Sequence, residues 1–287
     1  MTKQGVYVIK LVLSDLDNTL LPFGEPVVCE QTLQAIRELR SAGIRFAPAT
    51  GRPLNDLQYF FKHDLSALDC ALMCNGLLLR IDGKTVFERC FDHEDLVRIA
   101  KLVEKYPGVG LLLSDEDPQP WIIGIGDVVN WQMQHEQVFP HGYRVVNEVP
   151  RFACNKAALT CDASLADLQA LHQELSETFP QFEFFNSYTD WFDVSPAGWT
   201  KADGIKILAS KLGLSLDEIM VFGDGVNDIE MFDAAVHSVA VHNSVSEVHA
   251  RARYHIGAAA DHSVAAAFCE LADAARDQRL PAFMQSA

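Results

Sequence analysis

The chain has 287 residues, enough for one large domain or two of ordinary size. Hydrophobic residues make up 49% of it and charged residues 22%, as in globular proteins, and no apolar run approaches the ~20 residues needed to span a bilayer. The net charge of −16 excludes the broad basic face that nucleic acids require, but it leaves room for a small phosphorylated substrate held by a metal and a few local cations.

The N-terminal apolar run is too short for a signal peptide, so we expect a cytoplasmic protein with no membrane partner. The seven cysteines are odd in number and stand mostly among apolar neighbours, which favours buried free thiols in a reducing compartment. Cys70 and Cys74 have no companion Cys/His pair at zinc spacing, and a place in the core is favoured for them. No heptad pattern indicates an oligomeric state, which stays open.

The first predicted element is a buried strand at residues 6–13, rich in apolar and β-branched side chains. It ends in Ser14-Asp15-Leu16-Asp17, and ligands of parallel sheets bind outside the carboxyl ends of the strands. Two carboxylates on the same side repel each other unless a cation joins them, and a hard ion such as Mg²⁺ suits oxygen ligands. A polar loop with Asx turns at Asp17 and Asn18 explains this stretch equally well on its own.

Two more strands with polar ends follow. A helix at 30–41 leads to a strand at 44–49 that ends in Thr50-Gly51-Arg52. After a helix at 54–61, a strand at 70–74 closes on Asn75-Gly76. Strands that alternate with helices predict an α/β fold with a doubly wound, Rossmann-like parallel sheet.

The pattern then changes to α+β and later returns. Asp82-Gly83 between two apolar runs indicates a hairpin, and short strands and helices continue to about residue 190. From residue 191 the α/β pattern resumes, with Lys201 at a helix start and a strand at 219–222 that ends in a Gly-Asp-Gly-Val-Asn-Asp loop. We therefore predict a core formed by residues 1–81 and 191–287, and an inserted α+β domain at 82–190.

Four motifs stand in order along the chain: Asp-x-Asp-x-Thr, Thr-Gly-Arg, a lone lysine after Gly-Trp-Thr, and Gly-Asp-x-x-Asn-Asp. In this order and spacing the chain resembles the haloacid dehalogenase superfamily of aspartyl-phosphate hydrolases, over nearly its whole length. The insert resembles a type II (C2B) cap. With Ala49-Thr50-Gly51-Arg52 and Cys74-Asn75-Gly76, the chain is most similar to the Cof-like branch of the superfamily. One departure is Asn18, where the family most often has glycine; Asn tolerates the turn expected there.

The resemblance implies a role for each motif residue. Asp15 would be the nucleophile, and the side chain of Asp17 would protonate the leaving group and then deprotonate water. Mg²⁺ would be held by Asp15, the backbone carbonyl of Asp17 and Asp224, with Asp228 assisting through water or by holding the lysine. Thr50 and Lys201 complete the catalytic set. The residues expected to contact the substrate are Thr50, Gly51, Arg52, Asn75, Gly76, Lys201 and Asn227.

Each motif also has an ordinary structural explanation. Alone, Thr50-Gly51-Arg52 is better explained as a helix cap, and Lys201 as a solvated lysine. The joint occurrence of four motifs favours a magnesium-dependent phosphatase acting on a sugar phosphate, nucleotide or phosphorylated cofactor. A mutase of the phosphomannomutase type and a non-catalytic phosphate-binding or signalling module are the alternatives, and the sequence does not identify the substrate.

Overall fold

The computed structural model describes residues 8–106, 108–115, 117, 119–125, 142–161, 165–188 and 191–285. It divides into two compact units. We call the first the core unit (residues 1–52, 56–88 and 200–287) and the second the inserted unit (residues 53–55 and 89–199). The sequence-based limits of 82 and 190 differ from these by several residues, because residues 84–88 pair in a hairpin of the core unit and residues 191–196 pair in the sheet of the inserted unit.

Strands and α-helices alternate in residues 11–73 and again in 191–276, whereas three strands follow one another in residues 70–88. In chain order the strands are β1 Leu11–Ser14, β2 Arg45–Pro48, β3 Cys70–Met73, β4 Leu78–Ile81, β5 Lys84–Glu88, β6 Val109–Ser114, β7 Trp121–Ile123, β8 Arg144–Val145, β9 Lys156–Cys161, β10 Phe182–Tyr188, β11 Trp191–Pro196, β12 Ile219–Gly223, β13 His237–Ala240 and β14 Tyr254–His255. The α-helices are α1 Glu30–Ser41, α2 Leu54–Phe60, α3 His93–Val103, α4 Leu165–Thr178, α5 Lys201–Leu212, α6 Ile229–Ala234, α7 Ser246–Arg251 and α8 Ser263–Arg276.

The core unit contains a parallel sheet in the order β14-β13-β12-β1-β2. A parallel bridge between Ala49 and Leu72 sets β3 beside the end of β2. The chain runs from β1 to β2 on one side of the sheet and later fills the other side with β12, β13 and β14. The end of β1 is therefore the point where the strand order reverses, the usual place for a ligand in such sheets. The predicted doubly wound α/β fold is confirmed.

Burial explains why these segments form the core. All four residues of β1 are buried, as a strand covered on both faces requires. Helix α1 buries Thr32, Ala35, Ile36 and Leu39, which recur at helical spacing. The strand predicted at 6–13 begins later, at Leu11, where pairing with β12 and β2 begins; residues 6 and 7 lie outside the described residues.

The inserted unit has a six-stranded sheet in the order β10-β11-β9-β6-β7-β8. Its pairs are antiparallel except for β7 and β8. Helix α3 buries Leu96, Ile99 and Val103, and α4 is tied to β10 by a 2.7 Å hydrogen bond between His172 Nε2 and the Phe184 carbonyl. The predicted α+β character of the insert is confirmed. Among the described residues, no helix is both long and apolar enough to cross a membrane.

A close backbone approach fixes the start of α5 against the turn that follows β3. A Cβ placed on Gly204 would lie 2.8 Å from the Cα of Gly76 and 2.9 Å from Leu72 Cδ1, so only glycine fits at this crossing. The crossing matters because α5 begins with Lys201, one of the predicted site residues.

We expect Gly204→Ala to lower the free energy of unfolding by roughly 1–3 kcal/mol, because the added methyl group forces apart two packed segments. Urea unfolding monitored by circular dichroism measures the change. Ser210→Ala, at an exposed position of the same helix, is the matched control and should change stability little. A Gly204→Ala protein as stable as the control would contradict the proposed steric role.

Candidate active site

The loop after β1 brings the first carboxylates to the edge of the sheet. Asp15 is buried, and its backbone N–H donates to the Phe222 carbonyl of β12 at 2.8 Å. The chain then turns back, with Asn18 in the left-handed region at φ 58° and its N–H bonded to the Leu21 carbonyl. This is the turn expected at the position where the family most often has glycine. The side chain of Asn243 supports it by donating to the Asn18 carbonyl at 2.8 Å.

Lys201 joins the first and last motifs. Its Nζ lies 2.6 Å from Asp15 Oδ1 and 2.7 Å from Asp228 Oδ1, and the lysine is only 1% exposed. Thr200 caps the helix that begins with Lys201, its backbone N–H donating to Asp203 Oδ2 at 3.0 Å. The solvated-lysine explanation is therefore wrong for Lys201, which is a buried cation between two carboxylates.

The loop after β12 holds two further carboxylates. Asp224 is half-buried, and its Oδ1 accepts a 2.5 Å hydrogen bond from the hydroxyl of Thr19. Asp228 is fully buried. Its Oδ2 accepts from the backbone N–H groups of Asp224 and Gly225, both at 3.0 Å, while its Oδ1 faces Lys201. Asp228 thus fixes both the loop and the lysine.

Gly223 is necessary for this arrangement, because a Cβ there would lie 2.5 Å from Asp228 Oδ2. We expect Gly223→Ala to displace the Asp228 carboxylate and to lower activity at least ~10-fold through misplacement of Lys201. Steady-state kinetics and a melting curve on the same sample separate this effect from general unfolding. Gly225→Ala would test this role less directly, because the added Cβ would meet the exposed Asn227 side chain. A Gly223→Ala protein with the kcat of the wild type would contradict the role of Gly223 in positioning Asp228 and Lys201.

Arg52 pairs with a site carboxylate. Its Nε and Nη2 donate to the two oxygens of Asp17 at 2.7 and 2.9 Å, and its Nη1 donates to Asp56 at 3.1 Å. Burial disfavours the charge on Arg52, but the hydrogen bonds and charge of Asp17, with those of Asp56, outweigh it and raise the pKa of the guanidinium. In the described structure the arginine orients Asp17, and its expected contact with the substrate stays a prediction.

The second and third strand ends meet at Thr50 and Asn75. Thr50 is buried, and its hydroxyl oxygen accepts a hydrogen bond from the Arg52 backbone N–H at 3.2 Å. Because a hydroxyl group can accept and donate at the same time, the Thr50 O–H can still donate to a ligand. The Asn75 N–H donates to the Thr50 carbonyl at 3.0 Å. Asn75 is 8% exposed, and its Oδ1 has no hydrogen-bond partner within the described part of the chain. Gly51 and Gly76 flank these two side chains, whereas Asn227 is exposed on the loop after β12.

The site has an excess of negative charge. Four carboxylates, those of Asp15, Asp17, Asp224 and Asp228, face the two cations Lys201 and Arg52. Burial raises the pKa of Asp15 well above its usual value, with Lys201 opposing and the other aspartates adding to the rise. Burial also raises the pKa of Asp224 to about 7, although the hydrogen bond from Thr19 opposes it. For Lys201, pairing with Asp15 and Asp228 outweighs desolvation and raises the pKa.

These residues fit a hard divalent cation. One carboxylate oxygen each from Asp15, Asp224 and Asp228 lies within 4.8 Å of the others, and an all-oxygen donor set is the one Mg²⁺ prefers. The two positive charges of the ion would offset part of the negative charge of the carboxylates. Because both oxygens of Asp228 already accept hydrogen bonds, Asp15 and Asp224 are the better direct ligands.

Three residues that support the site have no role in the motif-based prediction. Thr19 orients Asp224, Asp56 holds Arg52, and Asn243 supports the Asn18 turn. The Asp-x-Asp-x-Thr motif contains a signal for Thr19. Asp56 stands four residues after Arg52, a spacing that could have indicated the ion pair. Asn243 carries no sequence signal, since its partner Asn18 is 225 positions away.

A sequence model of a family described as haloacid dehalogenase-like hydrolase matches residues 12–268. The chain belongs to this family. The resemblance drawn from the four motifs is confirmed, and so is the class of enzyme, a phosphoric monoester hydrolase.

Three relatives illustrate the similarity. Pyridoxal phosphate phosphatase YbhA of Escherichia coli strain K12 is 28% identical over 261 residues, which cover 86% of this chain and 93% of YbhA. The 5-amino-6-(5-phospho-D-ribitylamino)uracil phosphatase YbjI of the same strain is 26% identical over 255 residues, covering 87% and 91%. The solved structure of the HAD subclass IIB sugar phosphatase BT4131 has a TM-score of 0.73 at 24% identity, covers 90% of this chain and 97% of that one, and shows the shared fold.

Proposed function

We propose that this haloacid dehalogenase-like hydrolase is a magnesium-dependent phosphatase that cleaves small phosphomonoesters through an aspartyl phosphate on Asp15. The observation that carries the proposal is the buried Lys201, bonded to both Asp15 and Asp228 at the carboxyl end of the central strand β1. A lysine is buried at this position, against the cost of desolvation, only where negative charge must be held together.

Asp15 is suited to attack phosphorus. Its Oδ1 is held by Lys201, so the carboxylate keeps one orientation, and it lies at the sheet edge where a substrate enters. The attack forms a bond from the carboxylate oxygen to phosphorus and breaks the bond from phosphorus to the ester oxygen. Lys201 offsets the added negative charge as the carboxylate approaches the phosphate.

Asp17 serves as the acid and base of the reaction. It gives a proton to the departing alkoxide and later takes one from the water that hydrolyses the aspartyl phosphate. Both of its oxygens accept from Arg52 in the arrangement described, so Asp17 must exchange at least one of these hydrogen bonds to reach the substrate. Arg52 is therefore a positioning residue for Asp17.

The proposed metal ligands are the side chains of Asp15 and Asp224 and the backbone carbonyl of Asp17, with Asp228 acting through Lys201 and the loop. When bound, Mg²⁺ supplies charge neutralisation and alignment for nucleophile and phosphate. The remaining phosphate contacts are assigned to Thr50, Gly51, Asn75, Gly76 and Asn227. Asn75 is buried beside Thr50, and its side-chain NH₂ group is the one that would donate to a phosphoryl oxygen.

The substrate is proposed to be a small phosphorylated metabolite, a sugar phosphate, a nucleotide or a phosphorylated cofactor. By their names, YbhA acts on pyridoxal phosphate and YbjI on 5-amino-6-(5-phospho-D-ribitylamino)uracil, which supports a small phosphorylated metabolite as the substrate. The inserted unit is proposed to supply the specificity contacts as a cap that excludes water.

Release of inorganic phosphate from a panel of phosphomonoesters, with Mg²⁺ and with a chelator, tests the proposal. We expect release that depends on the metal and requires no bisphosphate activator. Release only from a panel containing a sugar bisphosphate, with transfer between positions of the sugar, would instead identify a mutase. No release by a folded sample would favour a binding module.

A further inference from the structure

A second group of metal-ligating side chains occurs in the core unit and shares no residue with the aspartate cluster. It consists of Glu25, in the loop after β1, Cys29, which caps α1, and His262, which precedes α8. One ligand atom from each residue lies within 4.8 Å of the other two. We propose that these three residues bind one divalent transition-metal ion such as Zn²⁺, independently of Mg²⁺ in the active site.

The distances between the ligand atoms fit a tetrahedral ion. Cys29 Sγ lies 3.7 Å from His262 Nδ1. A zinc ion with a sulfur at about 2.3 Å and a nitrogen at about 2.0 Å separates those two ligands by roughly 3.5 Å along the edge of the tetrahedron. Glu25 Oε1 lies 3.5 Å from His262 Nε2, the ring nitrogen opposite the one that faces Cys29. The Glu25 side chain must therefore change its rotamer to become the third ligand of an ion held by Cys29 Sγ and His262 Nδ1.

The chemistry of the donors selects the class of metal. Thiolate and imidazole are preferred by Zn²⁺, Co²⁺ and related ions, whereas Mg²⁺ prefers oxygen ligands alone. A thiolate and a carboxylate together carry two negative charges, which a divalent ion neutralises. The site therefore selects against the ion proposed for the aspartate cluster.

The surroundings of Cys29 suit a metal ligand. The residue stands at the N-terminus of the 12-residue helix α1. Thr32 Oγ1 lies 3.4 Å from Sγ and can donate to a bound thiolate as an outer-shell partner. The side chains of His262 and Glu25 are 25% and 31% exposed, so an ion has access and water can occupy the fourth position.

Binding would join two distant parts of the chain, since the residues on α1 and its preceding loop are more than two hundred positions from His262. An ion bound only by the folded state stabilises it by mass action. At an ion concentration a hundredfold above Kd, we expect the melting temperature to rise by about 5 °C.

The experiment uses Co²⁺ as the probe, added to the full-length protein in the presence of excess Mg²⁺, which saturates the carboxylate site. A thiolate bound to Co²⁺ gives a charge-transfer absorption in the near ultraviolet that carboxylates cannot produce. We expect this band to saturate at one equivalent, and Zn²⁺ to displace it.

Three variants localise the band. Cys29→Ser keeps a good helix cap, and His262→Asn suits the left-handed backbone at φ 51°, so both should fold. We expect each to abolish the band and the Zn²⁺-dependent rise in melting temperature. Cys269→Ser, at an exposed cysteine of α8, is the matched control and should retain both.

A wild-type protein without the band, or a band of unchanged strength in Cys29→Ser, would overturn the proposal. A band retained in His262→Asn as well as in the Cys269→Ser control would exclude His262 as a ligand and so also reject the three-residue site. No substrate is used, so these outcomes are independent of whether the enzyme is a phosphatase.

Discussion

Asp15→Asn is expected to abolish phosphate release, with kcat lowered by about 10⁴-fold or more, because an amide cannot form the aspartyl phosphate. The substitution preserves shape and leaves an amide oxygen at this position that can accept from Lys201 Nζ. It also removes one of the buried carboxylates whose pKa is raised by burial. We therefore expect a melting temperature within a few degrees of the wild type, measured in the presence of a chelator.

Asp233→Asn is the matched control, since Asp233 is an exposed carboxylate of the core unit. Kinetics and melting curves of both variants on the best panel substrate make the comparison. Turnover by Asp15→Asn close to that of Asp233→Asn would remove Asp15 as the nucleophile, whatever the identity of the substrate.

Lys201→Met is expected to affect stability as well as activity. Without the ammonium group, Asp15 and Asp228 are left as buried carboxylates without a cationic partner, and breaking such a pair costs about 3–5 kcal/mol. The loss should be smaller in acid, because protonation neutralises the two carboxylates that the lysine no longer offsets. Denaturant unfolding at neutral and at mildly acidic pH measures both effects.

Lys206→Met removes a lysine of the same helix that is exposed, with a 3.6 Å contact to Asp203, and should change the free energy of unfolding by less than about 1 kcal/mol. Equal effects of the two substitutions would show that Lys201 contributes no more than a surface lysine. Activity should fall in Lys201→Met even under conditions where the variant is fully folded.

Local patterns predicted the elements well where periodicity and stop signals agree. The helix at 30–41 has the predicted limits because its apolar spacing and the following Gly43 agree. The N-terminal strand was predicted too long, since an apolar run does not reveal where its neighbours begin to pair. For the same reason residues 191–196 were assigned to the core, although they pair with β9 and β10 of the inserted unit.

The sequence motifs named the residues of the candidate site, but they did not predict most of the contacts between them. Strand ends place Asp15, Thr50 and Asp224 near each other, because parallel strands end at one edge. The pairing of Arg52 with Asp17 was not predicted, since the direction of a long side chain depends on tertiary packing.

The prediction that most cysteines are buried is confirmed only in part. Cys70, Cys74 and Cys154 are buried, whereas Cys90 and Cys269 are exposed and Cys29 is half-buried. Apolar neighbours in sequence indicate burial only when the whole segment faces the core. Cys29 stands at a helix cap, a position that leaves its thiol accessible.

Covalent labelling of Asp15 tests the central proposal most directly. Asp17→Asn is mixed with a radiolabelled aryl phosphate and Mg²⁺, quenched with denaturant and digested. An aryl oxide leaves without a proton, so the first step survives in this variant while hydrolysis of the intermediate, which needs the base, is slowed. We predict label on the peptide containing Asp15, and none when Asp15 is also replaced by asparagine. Turnover of the ester without label on that peptide, or label that persists in the double variant, would contradict an aspartyl phosphate at Asp15.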